Sequence, residues 1–143
     1  MNNWIETKLK FDKTMENGEV KKVTEQYLVN ALSFTEAEAR IIEEATQFIS
    51  GDFAVEAVKK SNISEIFCDE NGDKWYKVKI SFIILDEKSG LEKKSNQYML
   101  VQAPDFHNAL ENFMDGMKGT MADFEIVSIS ETKIMDVYDI ELK

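Results

Sequence analysis

Two segments of the chain alternate between apolar and polar residues, one near the N-terminus and one in the middle. The first segment has apolar residues at every second position and charged residues between them: Ile5, Leu9 and Phe11 against Glu6, Lys8 and Lys10. The second segment repeats the pattern, with Tyr76, Val78, Ile80 and Phe82 at the apolar positions. A period of two predicts strands with one buried face.

Each alternating segment is followed by signals for a hairpin, a second strand and a helix. Asn17-Gly18 is typical of a hairpin turn, whose two central positions favour positive φ. A second strand is then predicted over about residues 20–31. Ser33 and Glu36 form a capping box, in which the Glu36 carboxylate is expected to accept from the Ser33 amide.

The two predicted helices carry apolar residues at three- and four-residue spacing. The first stripe is Phe34, Ala37, Ile41, Ala45 and Phe48, and the second, after a cap at Asp105, is Phe106, Ala109, Leu110, Phe113, Met114 and Met117. Two strands are predicted after each helix, near residues 53–59 and 63–68 and near residues 124–130 and 134–140.

The chain also repeats itself at an interval of 71 or 72 residues. Trp4 matches Trp75 and Gly18 matches Gly90, and many further matches keep this order, which is hard to obtain by chance. Asn71-Gly72 is interpreted as a hairpin that pairs the fourth strand with the fifth.

We therefore predict an α+β fold made by tandem duplication of a ββαββ unit, with repeats at about residues 1–71 and 72–143. Antiparallel sheet with two helices packed on one side, over one shared core, is expected to form a single compact pseudo-twofold domain.

Composition indicates an ordered protein of the cytoplasm, with no membrane partner. The chain has 43% hydrophobic residues and one proline, and its longest apolar run, residues 82–85, is too short for a membrane helix. Met1–Trp4 carries no secretory leader, and the lone Cys68 cannot form an internal disulfide. We expect Cys68 to be a buried structural thiol.

The net charge of −10 disfavours nucleic acid as a partner, but the charge is unevenly distributed. Residues 4–31 and 74–103, the two leading hairpins, carry +3, and the remainder carries −13. Strand parity predicts that Trp4, Lys8 and Lys10 point outward, as do Trp75, Lys77 and Lys79. Exposed aromatic rings beside lysines suit single-stranded nucleic acid. A tryptophan that opens a strand is, however, also often a partly buried residue at the rim of a sheet.

Motifs for catalysis or metal binding are missing from the sequence. The single histidine, His107, falls in the first turn of the second helix, where a solvated side chain is expected. No nucleophile elbow, CxxC pair or P-loop occurs, so we expect no enzymatic activity, no metal and no cofactor.

Three stretches resemble an uncharacterised family of bacterial and phage proteins, defined as a domain of unknown function: residues 23–40, 118–123 and 134–137. The resemblance covers nearly the whole chain and implies relatives among phage replication genes that bind single-stranded DNA. The predicted strand and helix order is also similar to a circularly shifted Whirly or PUR repeat, which binds single-stranded nucleic acid.

These observations lead to two hypotheses. The first is single-stranded DNA or RNA binding by the outer face of the two leading hairpins, through Trp4, Lys8, Lys10, Lys21, Lys22, Trp75, Lys77, Lys79, Lys93 and Lys94. The second is a protein-interaction or assembly module, including a homodimer, which the acidic net charge favours.

Overall fold

The computed structural model describes residues 3–139 as an α+β protein. Its elements in chain order are β1 (Trp4–Thr14), β2 (Val20–Asn30), α1 (Phe34–Phe48), β3 (Phe53–Lys60), β4 (Ile63–Phe67), β5 (Lys74–Leu85), β6 (Glu92–Ala103), α2 (Phe106–Gly116), β7 (Asp123–Glu131) and β8 (Ile134–Tyr138). The predicted elements are confirmed to within a few residues. The predicted end of the last strand, at Ile140, lies outside the described residues.

The strands form two mixed sheets of four strands each. Sheet A has the order β3-β1-β2-β8, and sheet B has the order β4-β6-β5-β7. Three strands of each sheet are antiparallel neighbours, whereas β8 joins β2 and β4 joins β6 in parallel. The prediction of antiparallel sheet covered on one side by both helices is therefore wrong.

The segment between β4 and β5 explains this difference. Gly72 donates to Asp69 O at 2.9 Å, which closes a turn, but β4 does not pair with β5. Neither Asn71 nor Gly72 has the positive φ that a tight two-residue hairpin needs. Gly72 instead runs against the backbone of Ala103, where an added Cβ would come within 2.6 Å of the Cα atom. The glycine is thus required for close packing of the backbone.

The chain divides into two compact units whose limits differ from those of the sequence repeats. The first unit holds the described residues up to Ser61 together with those from Lys133 onward, and the second holds Asn62–Thr132. Consequently β4 belongs to the second unit, although it lies in the first sequence repeat, and β8 belongs to the first unit.

Helix α1 begins at a capping box that differs slightly from the predicted one. Ser33 Oγ accepts from the Glu36 amide at 3.1 Å, as expected, but the Glu36 carboxylate accepts from the Leu32 amide at 2.9 Å. Helix α2 begins at Asp105, whose carboxylate accepts from the Asn108 amide at 2.8 Å. No helix within residues 3–139 is long and apolar enough to cross a membrane.

Each helix packs on its own sheet over its own apolar cluster. In the first unit, Ala37, Ile41 and Ala45 of α1 pack against Leu9 and Val29 of sheet A. The second unit has Phe113 and Met117 against Val78, Ile80 and Val101 of sheet B. The prediction placed both helices over one core, whereas each of these clusters contains residues of a single helix. Some members of the predicted stripes stay about half exposed: Phe34, Phe48, Phe106 and Met114.

Candidate nucleic-acid interface

The helices cover one face of each sheet, and strand alternation places the predicted lysines on the opposite face. In β5, Val78 and Ile80 point into the cluster under α2, so Lys77 and Lys79 lie on the other side. In β1, Leu9 points into the cluster under α1, so Lys8 and Lys10 lie on the side away from α1. We call these surfaces the helix-free faces of sheets A and B.

The two tryptophans are buried, so their predicted exposure is wrong. Trp4 and Trp75 each retain 4% of their accessible surface. Each opens the first strand of its sheet, where its carbonyl oxygen accepts from a residue that ends a later strand. Ser61 N donates to Trp4 O at 3.0 Å, and Thr132 N donates to Trp75 O at 2.8 Å. Rings with so little accessible surface have almost no face to offer to a base.

Three of the four predicted lysines nearest the hairpin ends form an ion pair with a carboxylate. Lys21 Nζ lies 3.9 Å from Glu19, Lys93 Nζ lies 4.0 Å from Asp86, and Lys94 Nζ lies 3.5 Å from Glu125. Lys22 stands opposite Asp12 in the strand register. These exposed pairs are weak, yet they leave little excess positive charge at the hairpin ends. Along the predicted basic path, Lys21, Lys93 and Lys94 thus each have a carboxylate beside them.

Sheet B brings an aromatic ring and two lysines together in a way that the sequence did not predict. Lys77 Nζ lies 4.6 Å from the centroid of the Tyr98 ring, and Lys79 Nζ lies 5.9 Å from it. Tyr98 pairs directly with Lys79 across β5 and β6. Both lysines and the tyrosine remain partly exposed. Tyr98, Lys77 and Lys79 form what we call the Tyr98 cluster.

The neighbours of the Tyr98 cluster on β7 are neutral and polar, whereas those on β4 and β6 include buried apolar residues. Ile63 pairs with Tyr98, and Leu100 pairs with Lys77. The register places Asn96 next to Ser81 on β6, and Ser130 and Ser128 beside Lys77 and Lys79 on β7. The first acidic side chain on this face of β7 is Glu125, opposite Ser81. The hairpin of residues 74–103 has six lysines and three acidic residues, whereas residues 4–31 have five of each. The whole positive excess of the leading hairpins thus lies in sheet B.

Sheet A lacks an equivalent cluster. Lys8 pairs with Gln26, which occupies the position that Tyr98 holds in sheet B. Glu6 lies on the same face as Lys8 and forms an ion pair with Lys59 at 3.8 Å. Because acidic and basic side chains alternate here, the helix-free face of sheet A offers a weaker electrostatic attraction for an anion than that of sheet B.

The register of β6 was the signal that sequence reasoning missed. The turn glycine at position 90 has φ of 69°, and pairing back from it places residue 98 opposite residue 79. The tryptophans lie on the leading strand of each hairpin, whereas Tyr98 lies on the second strand, whose face depends on this register.

Two further residues, His107 and Cys68, carry side chains of potential chemical use. His107 is solvated as predicted, and its Nε2 lies 3.1 Å from Glu111. Cys68 is exposed, so the prediction of a buried thiol is wrong, because β4 ends at Phe67. Among residues 3–139, no three His, Cys, Asp or Glu side chains gather into a group that could hold a metal.

The model of a family described as a domain of unknown function (DUF4494) matches residues 3–140. No curated protein sequence matches the chain significantly.

Proposed function

We propose that this chain, which belongs to the family of domains of unknown function matched over residues 3–140, binds single-stranded nucleic acid through the helix-free face of sheet B. The observation that carries the proposal is the Tyr98 cluster, in which two ammonium groups lie within 6 Å of one partly exposed aromatic ring. The protein acts as a binding protein rather than an enzyme.

Each part of the cluster has a role in this proposal. Unpaired bases stack on aromatic side chains, which contributes about 1 to 3 kcal/mol per base. Lys77 and Lys79 hold the Tyr98 ring by cation–π attraction and offer positive charge to the flanking phosphates. Neutral Asn96, Ser128 and Ser130 can donate hydrogen bonds without repelling an anion.

The local charge explains how an acidic protein can bind a polyanion. The net charge of −10 acts over long distances, but salt screens charges that are more than about 8 Å apart. In the strand register, the Tyr98 cluster presents two lysines and has neutral serines beside them on β7. We expect binding that is modest in affinity and sensitive to salt.

The origin of the chain by duplication and its biological role are also parts of the proposal. The order ββαββ occurs twice along the chain, which supports origin by tandem duplication. Resemblance to bacterial and phage proteins supports a role in phage or mobile-element replication in the cytoplasm.

A charge-matched pair of double variants tests the proposal. Labelled 12-nucleotide oligo-dT is titrated with wild-type protein, K77Q/K79Q and K8Q/K10Q, and anisotropy is followed from low to moderate salt. The two variants lose the same charge from equivalent strands. We expect K77Q/K79Q to bind at least about tenfold more weakly, with a salt slope lower by about 1.4, since each lost phosphate contact removes about 0.7.

The tyrosine variants separate stacking from charge. Y98A is expected to weaken binding by about 5- to 150-fold, and Y98F is expected to retain most of the affinity. Absence of binding by the wild-type protein at low salt, or an equal loss in K8Q/K10Q, would disprove the proposed site.

A protein-interaction or assembly module is the second candidate function. Three apolar side chains at the end of the β5–β6 hairpin are more than half exposed: Ile84 at 53%, Leu85 at 62% and Leu91 at 66%. Exposed apolar groups of this kind often mark contacts with another protein. Sedimentation that reveals a salt-independent dimer, lost in L85S/L91S, would favour this candidate over nucleic acid.

A further inference from the structure

The ion pair between Lys94 and Glu125 lies on the helix-free face of sheet B, at a distance from the Tyr98 cluster. Lys94 Nζ is 3.5 Å from Glu125 Oε2, and the two side chains are 58% and 56% exposed. Ser81 pairs with Asn96 on one side and with Glu125 on the other, which places Glu125 on the same face as Lys79. A strand of nucleic acid that leaves Tyr98 along β6 therefore meets this ion pair.

We infer that Glu125 limits the affinity of this site for extended polyanions by acting as an internal competitor for Lys94, an inference that rests on the proposed function. Lys94 and Tyr98 are four residues apart on β6, which corresponds to about 13 Å along a strand. A mononucleotide bound at Tyr98 does not reach Lys94. An oligonucleotide reaches it, and its phosphate must displace the Glu125 carboxylate.

The electrostatics set the size of the effect. Exposed ion pairs contribute little to stability, typically a fraction of a kcal/mol. Displacing Glu125 from Lys94 therefore has a small free-energy cost. Removing its charge both releases Lys94 and removes repulsion of the incoming phosphate. The corresponding gain in affinity is about two- to fivefold.

Glu131 provides a matched control on the same strand. It is 54% exposed, and its carboxylate pairs with Lys74 Nζ at 3.4 Å. Glu131 stands opposite Tyr76, whose side chain packs in the second unit's core beside Ala109 of α2, so Glu131 lies on the other face of the sheet from Glu125. E131Q and E125Q thus remove the same charge from one strand but from opposite faces.

The experiment compares wild-type protein, E125Q and E131Q by anisotropy with 12-nucleotide oligo-dT and by calorimetry with dTMP. We expect E125Q to bind oligo-dT about two- to fivefold more tightly and dTMP without change. E131Q is expected to match the wild type for both probes. In a K94Q background, the E125Q substitution should lose most of its effect, because the competed lysine is gone.

The possible outcomes are distinguishable. If wild-type protein binds oligo-dT but E125Q and E131Q are equally tight, the competitor role of Glu125 is wrong and the proposed function stands. Equal gains from E125Q with and without Lys94 also overturn the inference. If neither the wild type nor E125Q binds oligo-dT at low salt, the proposed function fails, and the inference fails with it. Thermal melts check that each variant is folded.

Discussion

The carbonyl oxygen of Trp75 accepts two hydrogen bonds from Thr132, one from the backbone amide and one from the hydroxyl group, each 2.8 Å long. Seventy-one residues earlier, Trp4 accepts from the Ser61 amide at 3.0 Å. Ser61 and Thr132 are the last residues before the chain passes from one compact unit to the other. The two tryptophans therefore have a structural role, because they anchor the points where the chain changes units.

Replacing Thr132 tests this anchoring. T132V removes the hydroxyl donor to Trp75 O but keeps the backbone amide bond. We expect the free energy of unfolding to fall by about 0.5 to 1.5 kcal/mol, as for loss of a typical intramolecular hydrogen bond. T132S retains a hydroxyl group and should stay close to the wild type in urea denaturation. Equal stability of T132V and wild type would show that the hydroxyl bond contributes nothing.

Burial of the tryptophans makes a spectroscopic prediction. Since Trp4 and Trp75 are each 4% exposed, acrylamide should quench their fluorescence far less than that of a free tryptophan. Oligo-dT should leave the emission nearly unchanged, because neither ring can stack on a base. W75A should also lose about 3 to 5 kcal/mol of stability, as large core truncations do. Strong quenching by oligo-dT would instead show that the rings contact bases.

Gly72 packs closely on the backbone of residue 103, and Gly51 is its matched control. An added Cβ at Gly72 would lie 2.6 Å from the Ala103 backbone, whereas one at Gly51 meets nothing within 4 Å. G72A should destabilise the protein by at least about 1 to 3 kcal/mol, because backbone atoms cannot move aside as a flexible side chain can. G51A should stay within about 0.5 kcal/mol of wild type. Similar melting temperatures for the two variants would contradict the close approach.

Alkaline pH should weaken the first unit through two stacked tyrosines. Tyr138 lies 5.9 Å from Tyr27 between ring centroids, and burial, followed by the charges of Asp136 and Glu44, raises the pKa of Tyr138 to about 12. Burial and the nearby Glu25 raise the pKa of Tyr27 further above its usual value.

The direction in which stability changes with pH follows from the protons bound by the folded and unfolded chains. An unfolded tyrosine titrates near pH 10, so above that pH the unfolded chain loses protons that the folded chain keeps. The contribution of Tyr138 is therefore complete below about pH 10 and is lost as the pH rises to about 12. Urea melts from pH 9 to pH 11.5 should show Y138F losing less stability than wild type. Parallel losses would mean that Tyr138 ionises as easily in the folded protein as in the unfolded chain.

Local sequence patterns predicted the elements well but not their assembly. Alternation in β1, the cap at Asp105 and the stripe of α1 depend on neighbours within a few residues, and the structure confirms them. Pairing of β4 with β6 depends on residues more than thirty positions apart, and nothing in the local pattern records it. Asn71-Gly72 was misleading because its glycine is needed for contact with Ala103 and not for a positive φ.

The sequence predicted the lysines of the candidate site but not its tyrosine. Strand parity correctly placed Lys77 and Lys79 away from the helix, since parity requires only one known inward residue. Parity cannot distinguish an exposed residue from one that is covered by other parts of the protein, so it misassigned Trp75. Tyr98 required the register between two strands, which the turn at Gly90 determines.

A chemical-shift map of nucleic-acid binding tests the central claim most directly. Isotope-labelled protein is titrated with 12-nucleotide oligo-dT at low salt, and amide and lysine side-chain signals are followed. We expect the largest shifts at Lys77, Lys79 and Tyr98 and smaller shifts at Asn96, Ser128 and Ser130. Added salt should reverse them. Shifts confined to sheet A or to the helices, or no shifts at millimolar oligonucleotide, would contradict it.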